Sequence, residues 1–216
     1  MLSVADLGSD QALNLLCIGA HSDDIEIGCA GTLVHLLREH PGSHVTWVVL
    51  SAEGERGKEA RQSAEVLLSG AGGMELRLGH FRDGHFPWQG SAIKDFVENL
   101  APGVQPDLVL THYLDDRHQD HRTVSELTWN TFRDHLILEY EVIKYDGDLG
   151  SPNLYVPLTE ELSRRKVGHL LEHFPSQRPR DWFNAESFEA IMRLRGIESR
   201  APAGFAEAFY SRKAVL

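Results

Sequence analysis

Apolar and polar positions fall along the chain in blocks of two kinds. Leu15 to Ala20, Val45 to Leu50 and Asp107 to Thr111 are short runs, nearly all apolar or β-branched. Their length and content predict buried strands. Longer stretches with apolar residues at helical spacing separate them. Ile27 to Glu39 carries Leu33, Leu36 and Leu37 on one face, and Pro41-Gly42 ends the helix this predicts. Glu55 to Leu68, Ala92 to Leu100, Thr123 to Leu136, Leu158 to Phe174 and Ala185 to Arg195 predict five more helices. Glu75 to Leu78 and Ile137 to Tyr145 predict two more strands. Residues 1–13 read as a polar lead-in, and Phe205 to Val215 fits neither pattern.

Strands alternating with helices imply an α/β fold, a mostly parallel sheet with helices on both faces. The 216 residues suffice for one sizeable core, so a single domain over residues 1–216 is expected. Open sheets of this kind bind ligands beyond the carboxyl ends of their strands. Two polar segments stand in that position. Ala20-His21-Ser22-Asp23-Asp24 follows the first strand, and Asp115-Asp116-Arg117-His118-Gln119-Asp120-His121 follows the strand ending at Thr111.

An imidazole and a carboxylate three residues apart on a turn can face one ion. Zinc takes histidine nitrogen and carboxylate oxygen readily, which makes His21 and Asp24 candidate ligands. Asp23 would then point elsewhere and could serve as a base. Taken alone, the Asp-Asp pair also suits a helix start, where a carboxylate caps backbone N–H groups. The second segment packs six ionisable groups into seven positions. It could supply a third ligand, leaving a fourth position for water, and His118 with Asp120 could form a proton-handling pair. His112, ending its strand, is a candidate support for the site. His80 and His85, flanking Asp83-Gly84, are candidate pocket residues. His35, His40 and His44 are expected at the surface, and His135, His169 and His173 in structural roles.

Charge narrows the partners. The net charge of −11 argues against nucleic acid, whose phosphates need clustered Lys and Arg. Arg164-Arg165-Lys166 and Arg178-Pro179-Arg180 are expected as solvated surface. Two cysteines, Cys17 and Cys29, lie in apolar surroundings without a CxxC pair. They predict buried free thiols, a reducing compartment and no thiolate zinc site. No apolar run reaches the ~18 residues of a membrane span, and no signal peptide is apparent, so a cytoplasmic protein is expected. Gly28 and Gly31 do not make a GxGxxG fingerprint, which weakens a dinucleotide reading. A homo-oligomer is left open.

The segment Ala20 to Leu33 resembles the Ala-His-Pro-Asp-Asp signature of the PIG-L/LmbE-like deacetylases. Asp116 to His121 resembles that family's Arg-His-Pro-Asp-His. Weaker matches at Gly54 to Arg61, Asp83-Gly84, Pro106-Asp107, Lys166, Ser176-Gln177 and Ala206 to Phe209 extend the resemblance over nearly the whole chain. It implies a Rossmann-like fold and zinc-dependent removal of N-acetyl groups, mostly from N-acetylglucosamine conjugates. Another divalent transition metal is the alternative. Carried over by motif, His21, Asp24 and His121 are the metal ligands and Asp23 is the general base. His118 stabilises the oxyanion or protonates the amine, with Asp120 as its partner, and Arg56 binds substrate. Ser22 and Gln119 stand where the family has proline, which frees the backbone there. Substrate choice is expected in the loops Arg82 to Gly90 and Gly147 to Asn153, with Phe86 and Trp88 available for stacking. A metal-dependent amidase for a non-sugar amide and a non-catalytic sugar- or metal-binding member are the rival readings.

Overall fold

A computed structural model describes residues 11–215; the first ten residues of the polar lead-in lie outside them. Seven strands form one sheet: β1 (Asn14–Gly19), β2 (His44–Val49), β3 (Gly73–Leu78), β4 (Leu108–His112), β5 (Leu136–Tyr140), β6 (Leu154–Leu158) and β7 (Phe205–Tyr210). Six helices accompany them: α1 (Asp24–Glu39), α2 (Gly54–Leu67), α3 (Gly90–Leu100), α4 (Gln119–Thr131), α5 (Glu160–His173) and α6 (Ala185–Glu198). The spatial order is β3-β2-β1-β4-β5-β7-β6. The first five strands are mutually parallel, and β7 runs antiparallel to both neighbours.

The two-residue period of a strand sends alternate side chains to opposite faces. Leu15 and Cys17 of β1 join the core under α1, α2, α5 and α6. Leu16 and Ile18 join the second core, under α3 and α4. The expected α/β architecture with helices on both faces is therefore present. The chain leaves β1 toward β2 on one side and reaches β4 on the other, so the order reverses between β1 and β4. A crevice opens at such a point beyond the strand ends, and both polar segments sit there.

Several boundaries differ from the hydrophobic pattern. Helix α1 starts at Asp24 rather than Ile27, because its first turn buries Asp24 and Glu26, which a hydrophobic period cannot register. Helix α4 starts at Gln119 rather than Thr123, so Asp120 and His121 belong to a helix turn and not to a loop. It ends at Thr131, and β5 stops at Tyr140 instead of Tyr145. Strand β6 was not legible: it is half exposed at the sheet edge and contains Pro157, which only an edge strand tolerates. The undecided end of the chain supplies β7, inserted between β5 and β6.

Helix α1 is broken at Cys29, whose φ of −147° and ψ of 17° leave the helical region. The amide of Gly31, which would bond to Ile27 O in an unbroken helix, instead donates to Glu207 Oε1 at 2.9 Å. Thr32 N donates to Glu207 Oε2 at 2.6 Å. Lys166 Nζ reaches Ile27 O at 2.6 Å and Glu207 Oε1 at 2.5 Å. A buried ion pair from α5 and β7 thus replaces the missing helical bonds. Lys166 is therefore interior rather than solvated, whereas Arg164 and Arg165 are exposed as expected. At the same break Gly28 lies against the Tyr140 ring; a Cβ there would stand 2.2 Å from Tyr140 Cδ2.

Candidate active site

His21 to Asp24 cross from the end of β1 into α1, and all four residues are buried. Asp24 Oδ2 accepts the His21 amide at 2.7 Å, which pins the turn. Asp23 occupies the N-cap position of α1 but makes no side-chain cap bond. Its carboxylate faces Arg56 Nη2 at 3.2 Å instead. The capping alternative raised by the sequence therefore does not describe this side chain.

Donor atoms of three residues converge. His21 Nδ1 lies 3.3 Å from Asp24 Oδ2, His121 Nε2 lies 3.4 Å from Asp24 Oδ1, and the two nitrogens are 3.3 Å apart. Four-coordinate zinc, with bonds of about 2.0–2.1 Å, requires ligand atoms roughly 3.3–3.4 Å apart. The two histidine nitrogens stand at that spacing, and each has one of the two Asp24 oxygens at it, so the three residues could hold such an ion. Two overlapping triplets, His21–Asp83–His118 and His112–Asp116–His121, could also hold a metal. Each draws on a histidine already engaged. His21 Nε2 faces Asp120 Oδ2 at 3.2 Å and Asp83 Oδ1 at 3.1 Å, and His121 Nδ1 faces Asp116 Oδ2 at 2.9 Å. These carboxylates on the outer nitrogens turn the inner lone pairs toward Asp24.

Asp120 departs from its expected place. Its carboxylate accepts the amides of Gly84 and Phe86 at 2.7 and 3.1 Å and lies on His21, not on His118. Its contact with His118 runs through the backbone, Asp120 N donating to His118 Nδ1 at 3.3 Å. Because His118 is the N-cap of α4, its ring satisfies an otherwise orphaned amide. With Nδ1 accepting, the proton of a neutral ring sits on Nε2. Burial, with His121 and His21 nearby, lowers the His118 pKa. Burial and the Asp24 charge raise that of Asp23, and Arg56 partly offsets them.

His112 lies beneath the site, fully buried and stacked on His121 with ring centroids 3.9 Å apart. Its Nε2 accepts the Ala20 amide at 2.9 Å and lies 3.2 Å from Asp24 Oδ2. Burial and His121 hold its pKa down to about 4. His40, expected at the surface, is buried and holds Gln11 O at 2.8 Å.

A cavity of about 270 Å³ opens over the convergent donors. Asp23, Arg56, Asp83 and His118 line it, together with Lys144, Tyr145, Gln177 and Trp182. Arg56 bridges two of these carboxylates, with Nη1 on Asp83 Oδ2 at 2.9 Å and Nη2 on Asp23 Oδ1 at 3.2 Å. Sequence reasoning missed Asp83 and Asp116 as site residues. Both lay inside the matched stretches, where the more familiar histidines drew the assignment. Phe86 is buried against His21, so it packs and does not face the cavity. Trp88 is 74% exposed and lies outside the cavity. His80 borders an adjoining groove, and His85 packs against Trp88.

A buried histidine–carboxylate cluster at the switch point of a mostly parallel sheet makes a candidate metal site in an α/β protein. The model of the PIG-L family, GlcNAc-PI de-N-acetylase, matches residues 16–132. The uncharacterized deacetylase YaiS of Escherichia coli K12 is 32% identical over 172 residues, 74% of this chain and 89% of that protein. The chain therefore belongs to the PIG-L/LmbE-like deacetylase family. Among solved structures, the N,N'-diacetylchitobiose deacetylase of Pyrococcus horikoshii aligns with a TM-score of 0.71 and 24% identity, covering 93% of this chain and 84% of that one. GalB of Pseudomonas putida KT2440, a 4-carboxy-2-hydroxymuconate hydratase, aligns with a TM-score of 0.74 and 16% identity, covering 94% and 98%. A deacetylase and a hydratase thus share this fold, so the reaction has to be argued from the site.

Proposed function

We propose that the protein is a zinc-dependent deacetylase that removes the N-acetyl group of an N-acetylglucosamine-type sugar or sugar conjugate. The observation that supports this most is the triangle of His21, Asp24 and His121 donor atoms beside the uncapped Asp23 carboxylate. Zinc bound there, or another divalent transition metal, would polarise the acyl carbonyl and acidify a water.

The remaining chemistry falls to this chain's own residues. Asp23 takes a proton from the water that attacks the acetamide carbon. His118 offers Nε2–H to the oxygen that gains charge, a contribution of ~3–4 kcal/mol for such a donor. The C–N bond then breaks, and the amine leaves with the proton that Asp23 acquired. Acetate and a free amino sugar result. Asp120 and Asp116 act one step back, orienting His21 and His121. Arg56 and Asp83 present donors and acceptors to sugar hydroxyls.

The acidic charge does not suit an anionic membrane surface, which favours a soluble sugar conjugate over a lipid-linked one. Among the described residues no helix is long and apolar enough to cross a membrane. Cys17 and Cys29 are buried and unpaired, which supports a reducing, cytoplasmic setting. The single sheet with its two covering layers supports one domain.

The test is acetate release from N-acetylglucosamine and its conjugates by zinc-loaded protein, with metal analysis of two variants. Asp23→Ala should keep zinc and lose most turnover, and His121→Ala should lose zinc. An active Asp23→Ala protein would sink the assignment of the base.

A further inference from the structure

Asp83 reaches the cavity from the loop between β3 and α3, and its side chain is half exposed. Its carboxylate nevertheless meets two groups of the site. Oδ1 lies 3.1 Å from His21 Nε2, and Oδ2 accepts from Arg56 Nη1 at 2.9 Å. Keeping a carboxylate of a surface loop in one place costs backbone and side-chain entropy. The residues on either side of Asp83 offset that cost.

Both neighbours of Asp83 are gripped at N–H and at C=O by side chains. Arg82 N donates to Gln89 Oε1 at 3.3 Å, and Arg82 O accepts from Gln89 Nε2 at 3.1 Å. Gly84 N donates to Asp120 Oδ2 at 2.7 Å, and Gly84 O accepts from Gln119 Nε2 at 2.7 Å. The two glutamines come from different elements: Gln89 stands just before α3, and Gln119 opens α4. Gly84 has a φ of +76° and no atom within 4 Å of a Cβ position. Glycine there serves a left-handed turn that presents the peptide to both partners.

Helix α4 does not itself require the Gln119 side chain. The residue takes the first helical position, where the N–H has no partner within the helix. His118 before it has a φ of −70° and a ψ of 122°, the conformation preferred ahead of a proline. Proline would fit at 119 and would stiffen the helix start. What proline could not do is donate to Gly84 O.

We propose that Gln89 and Gln119 are positioning residues of the active site. They act through the backbone on either side of Asp83 and hold its carboxylate between Arg56 and His21 before a substrate arrives. This rests on the deacetylase reading above, in which Arg56 and Asp83 meet the sugar hydroxyls. A loop that loses one grip samples other conformers, and apparent affinity falls with the fraction that stays competent. The groups at the acetamide carbon are untouched, so the loss belongs to KM and not to kcat.

The experiment measures acetate release from N-acetylglucosamine and N,N'-diacetylchitobiose by zinc-loaded wild type, Gln119→Pro, Gln119→Met and Gln89→Met, each alone and combined with Asp83→Ala. Each glutamine variant should raise KM by about fivefold, the worth of one hydrogen bond, with kcat within about twofold. In the Asp83→Ala background the same substitutions should leave KM unchanged, because the group they position is gone. Hydrogen exchange at the Gly84 and Phe86 amides, read by NMR without zinc or sugar, should quicken by about fivefold in the Gln119 variants. An unchanged KM in the glutamine variants, or an equal rise in the Asp83→Ala background, overturns the positioning role while the deacetylase reading stands. No acetate from either sugar with wild type overturns the deacetylase reading instead, and unchanged exchange in the Gln119 variants would then overturn the grip on Gly84 as well.

Discussion

Asp116 Oδ2 lies 2.9 Å from Nδ1 of His121 and 3.0 Å from the ammonium of Lys144. The carboxylate thereby fixes the tautomer that leaves His121 Nε2 bare toward Asp24. Asp116→Asn removes that charge while keeping the shape. Zinc affinity, measured by competition with a chelator, should fall by about 10- to 100-fold. Unchanged affinity would mean that His121 is held by packing alone.

Arg56 joins Asp23 to Asp83 through two nitrogens of one planar group. Lysine carries the charge but not the fork. Arg56→Ala should raise KM by about tenfold or more, and Arg56→Lys should recover only part of it. Steady-state kinetics on an N-acetylated sugar decides the matter. Full recovery by lysine would show that charge alone is used.

His169 lies between α5 and α2, with Nε2 2.8 Å from Ser63 Oγ, whose hydroxyl also meets the Glu26 carboxyl. Burial, then His173 and Arg165, hold the His169 pKa down to about 4. The unfolded chain therefore binds a proton near pH 6.5 that the folded chain refuses until about pH 4. Stability from this group is present above the unfolded pKa and is lost as pH falls between those values. The loss should be on the order of 2–3 kcal/mol. Urea unfolding of wild type and His169→Gln at pH 7 and pH 4.5 should show a smaller acid loss in the variant.

The Lys166–Glu207 pair predicts unequal costs for its two halves. Lys166→Met leaves Glu207 with the two amides of Gly31 and Thr32. Glu207→Ala leaves a buried ammonium with one carbonyl and strands both amides. Breaking a buried pair costs about 3–5 kcal/mol, and Glu207→Ala should stand at the upper end. Chemical denaturation ranks the two, and the opposite order would contradict the capping role.

The chain declared four of its five parallel strands openly, because strands buried on both faces are written as apolar runs; β3, half exposed at the sheet edge, was legible only from Glu75 to Leu78. Residues 107–111 and 15–20 fell within one or two positions of β4 and β1. The antiparallel edge was hidden, since β6 is half exposed and carries a proline, and β7 contains the buried Glu207. In the site, local spacing was enough to nominate His21 and Asp24. It could not bring Asp116 to Lys144 or Asp120 to His21, because those pairings depend on where a separate helix or loop arrives. Asp120 shows this limit most clearly: adjacency in sequence offered His118, and the fold supplied His21.

Every residue given a catalytic or metal-binding role lies within residues 16–132, the stretch that matches the family model. The break in α1 makes that stretch dependent on the rest of the chain. The carbonyl of Ile27 and the amides of Gly31 and Thr32 find their partners at positions 166 and 207. A fragment ending at residue 132 would hold the whole signature and still lack the groups that complete its first helix. The unit of inheritance for this site is therefore longer than the stretch the family model matches: a graft of the two signature segments onto another sheet would have to carry a lysine and a glutamate from elements outside both.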